Sequence, residues 1–217
     1  MILRPYQEQM VSKAVAALKK HGDTLAVAPT GAGKTVLLSA LAGRVGGKQL
    51  ILQHRDELTF QNAKKYREVN PRVRVGMFNA DIKDWKGDAT FAMVQTLCRD
   101  RALSTIPKLD LLVIDEAHHA VAPSYRKVVD AVRDKNPDCR IFGVTATPAR
   151  GDGKGLRHIF SNCCDQLSLH SLIAMGFLVR PRTFVCTLEG TDDRLASLRK
   201  TASGEFRSEG RRVGKEV

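Results

Sequence analysis

The chain has 217 residues, 43% of them hydrophobic and 27% charged, an ordinary composition for one generous soluble domain, or one domain with a fragment of a second. No apolar run approaches the roughly 20 residues that a membrane span needs. The formal net charge of +12 favours a polyanionic partner, nucleic acid first and an anionic membrane second, although a plain solubility surface fits the same number.

The cysteines (Cys98, Cys139, Cys163, Cys164 and Cys186) form no C-x-x-C pair, and their count is odd. The N-terminus has no uninterrupted apolar stretch of signal-peptide type, because Glu8, Lys13, Lys19 and Lys20 break it. Together these features predict reduced thiols and a cytoplasmic chain.

Residues 4–21 read as an amphipathic helix: Pro5 suits the first turn, Met10, Ala14, Ala17 and Leu18 recur at helical spacing, and Gly22 ends it. Gln7 stands beside Arg4 at its start. A Gln amide can donate to and accept from an adenine edge in one plane. From spacing alone, however, Gln7 reads as a polar residue on a solvated helix face.

An apolar run from Thr24 to Val27 then leads into Ala28-Pro29-Thr30-Gly31-Ala32-Gly33-Lys34-Thr35, followed by the apolar run Val36 to Ala42. Strand, loop and helix in this order are the context of a phosphate-binding loop. Gly31 and Gly33 let the backbone turn its N–H groups toward a polyphosphate, and the helix opening near Lys34 adds its positive end. Lys34 is placed to reach β- and γ-phosphates, and the Thr35 hydroxyl to ligate Mg²⁺. Ala28 stands where the strict G-x-x-x-x-G-K-[ST] pattern has its first Gly.

Gln49 to Gln53 predicts a short strand, and His54-Arg55-Asp56-Glu57-Leu58 opens a helix running to about Arg67. Arg72 to Phe78 reads as a strand, as does Ala89 to Val94 with Gln95 and Thr96 at its end. Leu111 to Ile114, four apolar residues without alternation, reads as a strand buried on both faces, running into Asp115-Glu116-Ala117-His118-His119. Two carboxylates there divide phosphoryl-transfer work: Asp115 for the Mg²⁺ shell, Glu116 to orient and deprotonate the attacking water. His118 and His119 lack a third ligand at metal-site spacing, so zinc is not expected. Pro123 starts a helix through Val132, and Arg140 to Val144 reads as a strand ending in Thr145-Ala146-Thr147-Pro148-Ala149-Arg150. Strands and helices thus alternate without repeats, which predicts an α/β domain with an open, mostly parallel sheet covered by helices. In such sheets ligands bind at the carboxyl ends of the strands.

The runs LRPYQ, APTGAGKT, LQHRDEL, MVQTL, VIDEAHH and VTATPAR occur in the order of the motifs in the first motor domain of superfamily 2 helicases. The chain most resembles the DEAD/DEAH-type ATPases related to type III restriction-enzyme motor subunits and bacterial or phage DNA repair helicases, over about residues 3–186. The resemblance implies a RecA-like P-loop NTPase fold with helices on both sheet faces, and ATP with Mg²⁺ as cofactors. It assigns adenine recognition to Gln7 with Arg4, phosphate and Mg²⁺ binding to the loop from Pro29 to Thr35, and metal binding and catalysis to Asp115 and Glu116. His118, Thr145 and Thr147 would couple hydrolysis to strand movement. His54, Arg55, Gln95 and Thr96 would lie along a nucleic-acid backbone, DNA rather than RNA.

The resemblance further implies a domain over residues 1–178, a connection over 179–206 toward a second RecA-like domain that carries arginine fingers, and unknown restriction or repair subunits as partners. Residues 207–217 resemble translated read-through into a sequencing adapter and are expected to be a non-native tail. Two accounts of function follow. One is the ATP-binding motor domain of a longer DNA helicase or translocase, truncated here. The other is a complete nucleotide-gated nucleic-acid-binding module with little ATP turnover.

Overall fold

The computed structural model describes residues 2–54, 56–147 and 156–182. Arg55, Pro148 to Arg150 and Cys186 lie outside the described residues, as do nearly all of the 179–206 connection and the whole 207–217 tail. Met1–Val179 forms one compact unit.

Helix α1 (Pro5–His21) has Pro at its first position and closes on Gly22 in the left-handed region, φ +79°. It buries the stripe Met10, Ala14 and Leu18, and each large member of such a stripe contributes about 1.5–3 kcal/mol. Strand β1 (Asp23–Val27) feeds the phosphate loop, and α2 (Lys34–Val45) follows it. Then come β2 (Gln49–Gln53), α3 (Asp56–Val69), β3 (Val75–Phe78) and β4 (Ala89–Met93). Two single-turn helices, α4 (Val94–Leu97) and α5 (Asp100–Leu103), precede β5 (Leu111–Asp115), α6 (Pro123–Lys135) and β6 (Arg140–Thr145). Strand β7 (Cys163–Gln166) and α7 (Leu169–Ala174) close the unit.

The seven strands form one sheet in the order β3-β4-β2-β5-β6-β1-β7, with every strand pairing parallel. Parallel strands need crossovers, and the helices that supply them cover both faces. Ile51, Val113, Phe142 and Val144 pack with residues of α1, α2 and α3 in one buried cluster. Leu50, Leu52, Leu112 and Ile114 point the other way and pack with α4 and α6. The expected α/β architecture is therefore the observed one.

Three local expectations are corrected. The strand expected from Arg72 begins only at Val75. The strand expected to reach Val94 stops at Met93, and Gln95 and Thr96 sit in the helical turn α4 rather than on a strand end. The helix from Pro123 runs three residues past Val132 to Lys135 before Asn136 and Pro137 stop it, because a residue before Pro is driven to extended backbone.

Register decides what meets at the carboxyl rim. Val27 lies opposite Thr145, and Asp115 opposite Val144. The phosphate loop, the acidic pair and Thr145 thus leave three adjacent strands at one level. Gly143 allows the turn after β5 to close down on β6, because a Cβ there would stand 2.9 Å from Ala117 Cβ and closer still to the Phe160 ring.

Candidate active site

The phosphate loop is built as its glycines require. Gly31 and Gly33 have φ of +86° and +80°, which an L side chain adopts only with strain. The Ala32 N–H donates to the Pro29 carbonyl at 3.1 Å, curling the loop, while Thr30 and Gly31 are exposed. Among the described residues no acceptor takes the amides of Gly31, Gly33, Lys34 and Thr35. Four such donors at a helix N-terminus form a cradle for an anion.

Two side chains of α1 brace the loop from behind. Tyr6 Oη donates to the Ala32 carbonyl at 3.0 Å, and Gln7 Nε2 donates to the same oxygen at 3.1 Å. Gln7 Oε1 accepts from the Arg4 N–H at 3.0 Å. Gln7 is only 6% exposed, so its sequence reading as a solvated side chain is corrected: both ends of its amide are engaged. The Arg4 guanidinium lies 5.5 Å over the Phe177 ring, and Phe177 meets Tyr6 edge-on at 4.9 Å. Leu178 reaches within 3.0 Å of where a Gly31 Cβ would stand.

Facing the loop, the acidic pair is asymmetric. Asp115 is 7% exposed, and its carboxyl is pushed up to about 6 by burial first and by the charge of Glu116 second; the Glu116 N–H and Lys34 oppose the shift. Its Oδ1 accepts from the Glu116 N–H at 2.9 Å. Glu116 holds φ +49°, the only non-glycine among the described residues in the left-handed region. Strain of this kind costs on the order of 1–3 kcal/mol and persists where surrounding structure imposes it. The imposed turn aims the Glu116 carboxylate at the loop: Oε1 lies 3.2 Å from Lys34 Nζ, and Oε2 lies 3.4 Å from His118 Nδ1. His118 Nδ1 also stands 3.0 Å from Thr145 Oγ1, which accepts from the Thr147 N–H at 3.2 Å. Lys34, Glu116, His118, Thr145 and Thr147 are thus one connected series.

Sequence reasoning missed Asn62 and Gln53. From the second turn of α3, Asn62 Oδ1 accepts from the Thr35 hydroxyl at 3.0 Å, while its Nδ2 donates to Asp115 Oδ2 at 3.2 Å and to Gln53 Oε1 at 3.0 Å. One amide therefore joins the two groups expected to hold Mg²⁺. Among the described residues the buried Gln53 Nε2 makes no hydrogen bond, while lying close enough to Asp115 to oppose its upward shift. A hydroxyl, a carboxylate and an unused amide donor in one buried spot suit a hydrated Mg²⁺, which keeps several waters and takes few protein oxygens. The only advance signal is compositional: Asn disfavours a helix interior unless its side chain has a task there.

The expected nucleic-acid residues divide. His54, at the end of β2, stacks on His119 at 4.3 Å, and His119 lies 4.1 Å from His118, which puts His54 beside the acidic turn. Gln95, exposed, and Thr96, half-buried, follow on the neighbouring strand β4.

Residues 1–150 match the family model of the type III restriction enzyme res subunit. Over 172 residues, 71% of the chain, the sequence is 33% identical to IRC3 of Saccharomyces cerevisiae, provisionally named an ATP-dependent helicase, and covers 25% of it. Over 192 residues, 83% of the chain, it is 33% identical to irc3 of Schizosaccharomyces pombe, provisionally named a mitochondrial ATP-dependent helicase, and covers 32% of that protein. The chain thus spans about a quarter to a third of these relatives. A nuclease-deletion mutant of the type ISP restriction-modification enzyme LlaGI, solved with a DNA substrate mimic, shares the fold with a TM-score of 0.66 at 16% identity, over 82% of this chain and 21% of that one.

Proposed function

The chain belongs to the family of type III restriction-enzyme res subunits and has the first RecA-like domain of superfamily 2 helicases as its fold, and from that premise we propose that it binds ATP with Mg²⁺ and drives movement on DNA. The observation that carries this reading is the series from Lys34 through Glu116 and His118 to Thr145. It connects the proposed phosphate cradle to the end of a separate strand, β6, as a transducer of nucleotide state requires.

In this account the free amides of Gly31, Gly33, Lys34 and Thr35 receive the phosphates. Lys34 leaves Glu116 for the β- and γ-phosphate oxygens. Glu116, freed of its cation and held by its strained turn, orients the attacking water and takes its proton. Thr35 and Asp115 would hold Mg²⁺, with Asn62 and Gln53 bonding around them. When bound, the ion would supply neutralisation of the charge on the transferring phosphate. His118 loses or keeps Glu116 according to the nucleotide and passes the difference to Thr145.

Support for DNA comes from the basic excess, from the placement of His54, Gln95 and Thr96 beyond the acidic turn, and from the DNA complex of LlaGI. Arginine fingers from a second RecA-like domain raise turnover by roughly 10³–10⁵, so this chain alone is a slow ATPase. The test is ATP turnover by the purified chain with and without single-stranded DNA, beside Lys34→Ala. DNA-stimulated turnover lost in Lys34→Ala supports a motor domain. Tight ATP and DNA binding with no turnover under any condition replaces it with a nucleotide-gated binding module.

A further inference from the structure

Away from the phosphate loop, a cavity of about 420 Å³ opens where β3 and β4 end, at the far side of the sheet. Its size falls within the range of small-ligand sites. Trp85 is its accessible ring, and Phe78, the last residue of β3 and only 2% exposed, backs it from the core with centroids 4.9 Å apart and planes tilted by 40°. Trp85 is half-buried and fixed, its indole N–H donating to Thr105 Oγ1 at 3.1 Å. The rest of the lining that matters is cationic. Lys83 Nζ lies 5.0 Å over the Phe78 ring, held by the carbonyls of Asn79 and of Ala80, the latter at 3.1 Å. Arg99 and Arg101 are exposed and line the same opening, and among the described residues no ion pair or side-chain hydrogen bond ties either down. No carboxylate is among the lining residues; Asp100, between the two arginines, turns to Lys127 at 3.5 Å.

A fixed, half-buried tryptophan with cations around it that no carboxylate neutralises matches an unstacked nucleobase with the phosphates on either side of it. Thr96 also lines the cavity, so it continues the track that starts at His54 and Gln95. From β1, which carries the phosphate loop, to β4 is four strand spacings, about 19 Å along the rim. The site is therefore distinct from the ATP cradle. The geometry points to a base-stacking site for single-stranded nucleic acid at Trp85, backed by the buried Phe78, with Lys83, Arg99 and Arg101 on the flanking phosphates. The inference deepens the DNA reading above and rests on it: contacts to backbone alone would hold a strand anywhere, whereas a captured base fixes its step on the domain.

Trp85 is the single tryptophan of the chain, so its fluorescence reports this site alone. The full chain is titrated with a short oligothymidylate, with an abasic oligonucleotide of the same length, and with thymidine monophosphate. The expected result is quenching of Trp85 by the oligothymidylate, with affinity about 5- to 150-fold above the abasic strand, the span of one stacked base. Trp85→Phe should keep most of that preference, and Arg99→Ala with Arg101→Ala should weaken both strands and flatten the salt dependence. Equal affinity for both strands without quenching overturns the stacking site and leaves backbone binding standing. Equal quenching by the free mononucleotide overturns the assignment to a strand. Binding of neither oligonucleotide overturns this site and the DNA reading together.

Discussion

Lys34 Nζ and Glu116 Oε1 lie 3.2 Å apart, so the cation proposed to bind phosphate and the carboxylate proposed to activate water hold each other. The two side chains are 14% and 34% exposed, which keeps the pair in the range of about 0–1 kcal/mol. On the proposed reading, an arriving phosphate would draw Lys34 away from Glu116. Glu116→Gln should therefore leave binding of a fluorescent ATP analogue intact or tighten it up to about fivefold, while abolishing hydrolysis. Retained turnover in this variant refutes Glu116 as the base.

Asn62 bonds Thr35, Asp115 and Gln53 at once. Asn62→Ala should cost about 1–3 kcal/mol of stability in the nucleotide-free chain, because the buried Asp115 and Gln53 and the half-buried Thr35 lose a partner. With Mg²⁺ and ATP present the loss should shrink, since Thr35 and Asp115 then turn to the ion. Urea unfolding in the two conditions checks this, and an equal penalty in both counts against the shared site.

Burial holds the Asp115 carboxyl at about 6, against roughly 3.9 in an unfolded chain. Between those values the folded state binds the extra proton. Stability of the nucleotide-free chain should thus be greatest near pH 4 as far as this group is concerned, fall as pH rises through the window, and level off above about pH 6.5. The full difference corresponds to about 3 kcal/mol. Asp115→Asn should flatten this dependence and stabilise the free chain at pH 7. Denaturant midpoints at pH 5 and pH 7 for both proteins decide the matter.

Gly33→Ala introduces a Cβ 2.7 Å from Gln7 Nε2 at a φ of +80°. Both strain and collision act on the loop, so nucleotide affinity should fall at least tenfold. Gln7→Ala in the same chain should restore only part of it, since the backbone strain remains. Full restoration would mean that the collision alone mattered.

The phosphate loop and the acidic turn were legible because their chemistry is local: glycines, a lysine and two carboxylates at the ends of apolar runs. Asn62 was not, since it meets Asp115 across 53 positions and nothing near it in sequence signals that meeting. Strand β7 was invisible for another reason: Cys163–Gln166 shows no buried alternation and pairs only at the sheet edge, beside β1. Gln95 and Thr96 were read as strand-end residues because a four-residue helical turn is too short to display a period. Gln7 misled because its burial comes from the loop folding over it, not from its own helix.

Gly176 turns the chain at φ +75°, and the amides of Phe177 and Leu178 both bond back to the Leu172 carbonyl. From that anchorage Phe177 lies against Tyr6 and Arg4, and Leu178 lies over Gly31. The path out of the sheet thus runs across the rim of the nucleotide cradle before it goes anywhere else. Phe177 and Leu178 thus tie the chain that leaves α7 to Arg4, Tyr6 and the glycine loop. If the loop holds ATP as proposed, a pull strong enough to lift Leu178 from Gly31 would be expected to loosen that grip from outside.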